Sequence, residues 1–181
     1  RWRVTQEDRW LARHYRPVER AFERTLAATD QPLAPWHVVD GTDSQHRALE
    51  VGRQLLAAIE HADDRIPRPR NAPKGAVATA AIRARFKTKP AGALPSDDEY
   101  DAELERLQGR LALLSRRKCF ERHAVVAAFE GMDAAGKGGA IRRITAALDA
   151  RQFRVVPISA PTPEELARPY LWRFWFQLPP R

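Results

Sequence analysis

Apolar side chains recur at helical spacing in three stretches of the sequence. The first stretch covers about residues 5–29 and is interrupted at Pro17, the second covers 44–59, and the third covers 98–115. The third stretch has acidic residues near its start and basic residues at its end, an order that suits the helix dipole. Repeats of three and four residues place apolar side chains on one face of a helix, so the spacing predicts three amphipathic helices.

Three short apolar runs predict strands instead. They lie at 35–40, 123–129 and 153–158. Continuous apolar runs of this length are typical of strands that are buried on both faces. The second run leads into a glycine-rich turn and then into a helix predicted to end near residue 150, which separates it from the third run. Strand, turn, helix and strand in this order predict a β-α-β unit.

A basic, proline-rich stretch separates the two halves of this pattern. The chain carries a formal net charge of +8, and residues 65–96 hold eight basic residues and no acidic ones. Such a composition opposes regular structure, which predicts a linker at 63–97 between an ordered segment at 1–62 and a second one at 98–181. The linker is interpreted either as a solvated tether or as a contact for a polyanion. Its basic residues are Arg65, Arg68, Arg70, Lys74, Arg83, Arg85, Lys87 and Lys89.

The glycine-rich turn matches the first seven places of the P-loop signature, Gly131-x4-Gly136-Lys137. Its position between a predicted strand and a predicted helix favours a phosphate site over a turn that merely caps a helix. We expect an α/β fold with an incomplete parallel sheet of the P-loop NTPase type and a helical segment upstream. In such a loop Lys137 contacts a phosphate as a point charge, and backbone N–H groups surround the phosphate oxygens. The phosphate-binding backbone is predicted at Gly131, Ala134, Ala135, Gly136, Lys137, Gly138 and Gly139.

The loop departs from the signature at its eighth place, where Gly138 stands instead of a serine or threonine that would hold Mg²⁺. Asp133 is the candidate metal ligand, because a cation that bridges phosphates prefers a carboxylate. The alternative is that Asp133 only fixes backbone amides of the loop. Arg142 and Arg143 follow one turn later, where each either contacts a phosphate or extends into solvent.

The sequence from Phe129 to Arg143 resembles the phosphate-binding loop of the polyphosphate kinase 2 family. Residues 160–165 and 170–175 resemble the segments that follow in that family, so that 98–181 resembles its amino-terminal half. A glycine after the lysine is normal there. The resemblance implies that Lys137 binds phosphate and that Asp133 helps to hold Mg²⁺, and it makes both of them the expected catalytic residues.

Residues 1–62 resemble the carboxy-terminal part of the same family, through the segments at 2–8, 24–25 and 34–39. A tail-like piece before a head-like piece is expected at the junction of two tandem copies, an arrangement of family members that make ADP from AMP. The resemblance implies Mg²⁺-dependent phosphoryl transfer between inorganic polyphosphate and AMP or ADP. The acidic strand end and the arginine-rich lid that the family uses are not found, so we expect a truncated chain that is inactive by itself.

Two other functions stay open, namely another P-loop small-molecule kinase that uses ATP and a non-catalytic polyanion-binding fragment. The sequence has no run of eighteen apolar residues and no apolar stretch behind the charges at its start. We therefore expect a soluble cytoplasmic protein without membrane contact or a nucleic-acid partner. A homo-oligomer is compatible with the sequence.

Overall fold

The computed structural model describes residues 6–31, 34–61, 94–118, 120, 123–132 and 134–179. Residues 63–93 of the predicted linker (63–97) and the candidate metal ligand Asp133 lie outside the described residues. Within the described ranges the chain forms helices α1 (Gln6–Arg13), α2 (Tyr15–Thr29), α3 (Ser44–Glu60), α4 (Asp97–Ser115), α5 (Lys137–Thr145), α6 (Pro163–Leu166) and α7 (Trp172–Trp175).

The first predicted helix is divided at His14 rather than at Pro17. Pro17 is the third residue of α2, where the missing N–H costs nothing, because the first turn of a helix has no acceptor for it within the helix. The N–H of Val18 returns to the carbonyl of His14 at 3.1 Å, which starts the new helix. The proline therefore sets where α2 begins, and the break falls three residues earlier than the sequence predicted.

Side-chain caps fix the starts of the two longest helices. Asp43 precedes α3, and its carboxylate accepts a hydrogen bond from the N–H of His46 at 2.6 Å. Ser96 precedes α4, and its hydroxyl accepts from the N–H of Glu99 while the Glu99 carboxylate accepts from the N–H of Ser96. Each cap satisfies backbone donors that the helix itself leaves unpaired, so both helices begin within one residue of their predicted starts.

Helices α3, α4 and α5 share the main hydrophobic core of the described residues. Leu107 of α4 approaches Gly52 of α3 so closely that a Cβ on the glycine would lie 3.3 Å from Leu107 Cδ1. Ile144 and Leu148 pack on this core from α5 and the turn that follows it. The segments before and after the linker thus contact each other through α3. The fully buried members are Ala48, Leu49, Leu56, Tyr100, Leu107 and Leu111.

Ion pairs along the edge of this core join α3 to α4. Arg53 contacts Glu103 at 3.1 Å, and Arg110 contacts Glu60 at 2.6 Å. A hydrogen bond from Arg106, opposed by partial burial and helped by Arg53, lowers the pKa of Glu103 to about 2. Exposed pairs of this kind add little stability each, and their main effect is to fix the register of the two helices.

The predicted parallel sheet is wrong for the part of the chain that the structure describes. None of these residues belongs to a β-strand, and the one β-bridge joins Gln31 to Ala34. The predicted strands at 35–40, 123–129 and 153–158 are backbone without regular secondary structure. An apolar run favours extended backbone, but the hydrogen bonds of a strand come from a neighbouring segment, and none pairs with these among the described residues. The fold described here is therefore helical.

In the segment after α5, a buried arginine joins α7 to α6 and to the backbone before α6. Arg173 of α7 donates from Nη2 to the carbonyl of Ser159 at 2.7 Å and lies 3.7 Å from the carboxylate of Glu165 in α6. Trp175 of the same helix is 61% exposed.

None of the helices in the described ranges combines the length with the apolar composition that a membrane crossing requires.

Candidate phosphate-binding site

The glycine-rich loop, residues 131–138, has a backbone that few side chains would allow. Gly136 adopts φ +81°, a left-handed conformation that glycine reaches without strain, and Ala134 adopts φ +61°. The N–H of Ala135 closes a turn on the carbonyl of Met132 at 3.2 Å. The loop folds back on itself immediately before α5, and Gly136 is the residue at which the turn becomes a helix.

Lys137 is the first residue of α5, and its ammonium returns to the loop. Lys137 Nζ donates to the carbonyl oxygen of Gly131 at 2.7 Å and to that of Met132 at 2.9 Å. These two bonds hold the positive charge at the first residues of the loop. An ammonium group has three N–H donors, so one remains available for a phosphate oxygen.

The start of α5 lacks the side-chain cap that α3 and α4 have. Its N-cap residue is Gly136, which has no side chain to accept from the first N–H groups of the helix. The N–H groups at Lys137, Gly138 and Gly139 are therefore suited to an external acceptor, and the positive end of the helix dipole favours an anion there. A phosphate would take the place that the Asp43 or Ser96 side chain takes at the other helices.

The two arginines predicted from the sequence have different surroundings. Arg142 is exposed. Arg143 is half-buried, and it donates from Nε to the hydroxyl of Tyr100 at 2.6 Å and from Nη1 to the carbonyl of Gly139 at 3.2 Å. Arg143 thereby attaches α5 to α4. Phosphate binding by either arginine stays a prediction.

A third arginine, which the sequence did not single out, lies directly against the loop. Arg47 belongs to α3, and a Cβ placed on Gly136 would overlap its guanidinium. Arg47 Nη1 donates to the carbonyl of Gly41 at 2.6 Å, and a Cβ on Gly41 would lie 3.2 Å from the Ala135 oxygen. The turn before α3 and the Arg47 guanidinium thus form one wall of the loop. No local sequence pattern predicts that Arg47 lies beside the loop, because about ninety residues separate the two.

No metal cluster is found in the described ranges, where no group of three or more histidine, cysteine, aspartate or glutamate side chains converges. Asp133, the predicted Mg²⁺ ligand, is not among the residues whose placement is described. A cation that bridges phosphates needs only one or two protein carboxylates, so a single aspartate in the loop fits the chemistry of that metal.

The sequence model of the family described as polyphosphate kinase 2 matches residues 1–67 and 95–181. These two segments contain both the loop with α5 and the helix α3 that packs beside it. The chain belongs to the polyphosphate kinase 2 family. The resemblance drawn from the loop sequence is therefore confirmed, and the match leaves out the basic stretch between the two segments.

Similar proteins extend this comparison across most of the chain. The polyphosphate:AMP phosphotransferase of Pseudomonas aeruginosa is 48% identical over 161 residues, which cover 88% of this chain and 32% of that protein. The protein of the same name from Pseudomonas syringae pv. tomato is 43% identical over 184 residues, covering 99% and 36%. The GDP-polyphosphate phosphotransferase of Mycobacterium tuberculosis is 43% identical over 84 residues, covering 46% and 28%.

The chain spans about a third of the length of the first two of these relatives. No solved structure is significantly similar to it.

Proposed function

We propose that the protein is a Mg²⁺-dependent phosphotransferase that moves a phosphoryl group between inorganic polyphosphate and a nucleoside mono- or diphosphate, with AMP to ADP as the favoured reaction. Membership of the polyphosphate kinase 2 family carries this proposal. The two relatives that match most of the chain are both named for the AMP reaction, which favours AMP as the acceptor.

The glycine-rich loop supplies the phosphate-binding step. Lys137, anchored on the Gly131 and Met132 carbonyls, donates its remaining N–H to a phosphate oxygen, and the uncapped N–H groups of α5 donate to oxygens of the same or the next phosphate. Because the ammonium is already held in place, little side-chain entropy is lost when the ligand binds. The loop therefore acts as a preorganised anion site.

Asp133 is the residue proposed to hold Mg²⁺. When bound, that ion neutralises charge on the phosphate oxygens of the transferred group. The carboxylate of Asp133 would bind the ion directly or through one of its waters.

Positioning and charge account for most of the acceleration in phosphoryl transfer, since the attacking and leaving oxygens have to lie in line with the phosphorus. The contribution of this chain is to fix one phosphate of the donor or acceptor at the loop and to surround it with donors. Lys137 has the largest expected share, because it is the residue whose charge lies within the loop itself.

The test is transfer from polyphosphate to AMP by the protein purified at its full encoded length, with Mg²⁺ present and ADP measured directly. Lys137→Met should lower the rate by orders of magnitude without a matching loss of stability, since Lys137 contributes charge rather than core packing. Lys118→Met removes the same charge from an exposed residue outside the loop and serves as the matched control.

A rate close to that of the wild type in Lys137→Met would contradict the role of the loop. Turnover of ATP with a small-molecule acceptor, but not of polyphosphate with AMP, would instead contradict the assigned donor.

A further inference from the structure

The turn before α3 and the first turns of that helix lie against the glycine-rich loop at two points. Gly41 faces the Ala135 carbonyl, and the Arg47 guanidinium occupies the place that a Cβ on Gly136 would take. Arg47 Nη1 also donates to the Gly41 carbonyl, which ties the guanidinium to the turn. Gly136 is thus confined in two ways, by its left-handed φ and by the arginine that occupies the space of a side chain. This packing brings a second fixed cation to the loop, in addition to Lys137.

The hydrogen bonding of Arg47 is incomplete. Among the described residues its guanidinium has one hydrogen bond, from Nη1, and its Nε atom is buried without a partner. A buried donor on a charged group is costly when it is left unpaired, so this guanidinium is suited to pair with an anion. The Nε and Nη2 edge of a guanidinium matches the spacing of two phosphate oxygens. Nη2 and Nε both lie where a Cβ on Gly136 would stand, at the start of the uncapped helix.

We propose that Arg47 is a phosphate-binding residue of the loop site, contributed by the segment before the basic stretch and acting beside Lys137. The proposal rests on the phosphate-binding function given above. It adds that the site is shared between two distant segments, so that neither the loop nor α3 binds the phosphate chain fully without the other.

A purely structural role is the competing explanation, since Arg47 also joins the Gly41 turn to α3. The two roles differ in what they change. A structural arginine affects the free energy of unfolding, whereas a binding arginine affects the affinity of the folded chain for an anion. Arg53 is the matched control, because it lies on the same helix and its contact with Glu103 joins α3 to α4 away from the loop.

The experiment measures the affinity of the 181-residue chain for inorganic tripolyphosphate by equilibrium dialysis at low ionic strength. The variants are Arg47→Gln, Arg47→Lys, Arg53→Gln and Lys137→Met, and each is checked for its thermal midpoint. We expect Arg47→Gln to weaken binding by about 10- to 100-fold, the usual worth of a hydrogen bond to a charged group. Arg47→Lys should recover only part of the loss, because an ammonium keeps the charge but not the planar pair of donors.

The outcomes separate the inference from the function on which it rests. If Lys137→Met loses affinity while Arg47→Gln and Arg53→Gln both bind as the wild type does, the loop site stands and the role of Arg47 is overturned. The same follows if Arg47→Gln only lowers the thermal midpoint. If wild-type and Lys137→Met chains bind equally or not at all, the loop site fails, and the inference fails with it.

Discussion

The packed helices α3 and α4 differ sharply from the extended segments at 123–130 and 153–159 in how they bury their apolar side chains. Leu49 and Leu107 in the helices are 3% and 5% exposed, whereas Val126 and Ile158 in the extended segments are 64% and 53% exposed. A helix satisfies its backbone hydrogen bonds internally, so it needs a neighbour only to bury the side chains of one face. An extended segment needs a neighbour both for its backbone hydrogen bonds and for the burial of its side chains. In the described residues, helices therefore carry the stability and position the loop.

The largest expected effect is on the free energy of unfolding, when one apolar side chain in each region is truncated to alanine. Leu107→Ala should lower the free energy of unfolding by about 2–5 kcal/mol, because it leaves a cavity between α3 and α4. Val126→Ala should change it by no more than about 0.5 kcal/mol, since its side chain is largely in solvent. Urea denaturation measures both values. Equal losses in the two variants would show that the extended segment is packed after all.

The next effect concerns the point where the loop becomes a helix, and it compares two glycines. Gly136→Ala should cost about 1–2 kcal/mol for the left-handed backbone alone, and more because the methyl group displaces Arg47. Gly138→Ala should stabilise the chain by about 0.5–1 kcal/mol, since it lies within α5 with open space around it. Thermal melts of the two variants should shift in opposite directions. A shift in the same direction would contradict the described backbone of the loop.

A smaller effect is expected from two capping boxes, one on the core helix α4 and one on α6, which lies outside the core. Ser96→Ala removes the cap of α4 and should cost about 1 kcal/mol, because α4 carries half of the core. Thr162→Ala removes the equivalent cap of α6, a four-residue helix without buried residues, and should cost much less. Chemical denaturation followed by far-ultraviolet circular dichroism compares the variants. If Thr162→Ala proves to be the more damaging change, the assignment of most of the stability to the core helices fails.

The smallest effect is a dependence on pH. The pKa of Glu103 is lowered from 4.5 to about 2, mainly by its hydrogen bond with Arg106, so the ionised form stabilises the folded chain. That contribution is present above about pH 4.5 and is lost as the pH falls towards 2. Glu103→Gln should reduce the drop in thermal midpoint between pH 6 and pH 3, by a small amount because the pair is exposed to solvent. An identical drop in the variant and the wild type would show that the pair has no effect on stability.

Local sequence signals were sufficient for the two longest helices of the described residues. Apolar spacing with acidic residues near the start and basic residues at the end predicted α4 within one residue, and the apolar spacing from Ser44 predicted α3. The prediction of strands failed because a run such as 123–129 indicates only an extended backbone with apolar side chains. Whether such a run pairs depends on a second segment, which no local pattern specifies.

The candidate site divides in the same way. The spacing of Gly131, Gly136 and Lys137 predicted the loop, because the motif is contiguous and each residue has a defined backbone or charge role. Arg47 was not predicted, since its place beside Gly136 follows from the packing of α3 on α4 and α5. The sequence likewise offered no way to choose between Arg142, which is exposed, and Arg143, which is bonded to Tyr100.

The most direct test of the central claim, that the loop at 131–138 binds the phosphate chain, is a titration of the isotopically labelled chain with tripolyphosphate followed by amide NMR. We predict that the largest shifts occur at the N–H groups of Gly136, Lys137, Gly138 and Gly139, with a smaller set at the start of α3. Shifts confined to the basic stretch at 65–96, with the loop amides unchanged, would contradict the claim and identify the basic stretch as the polyanion site instead.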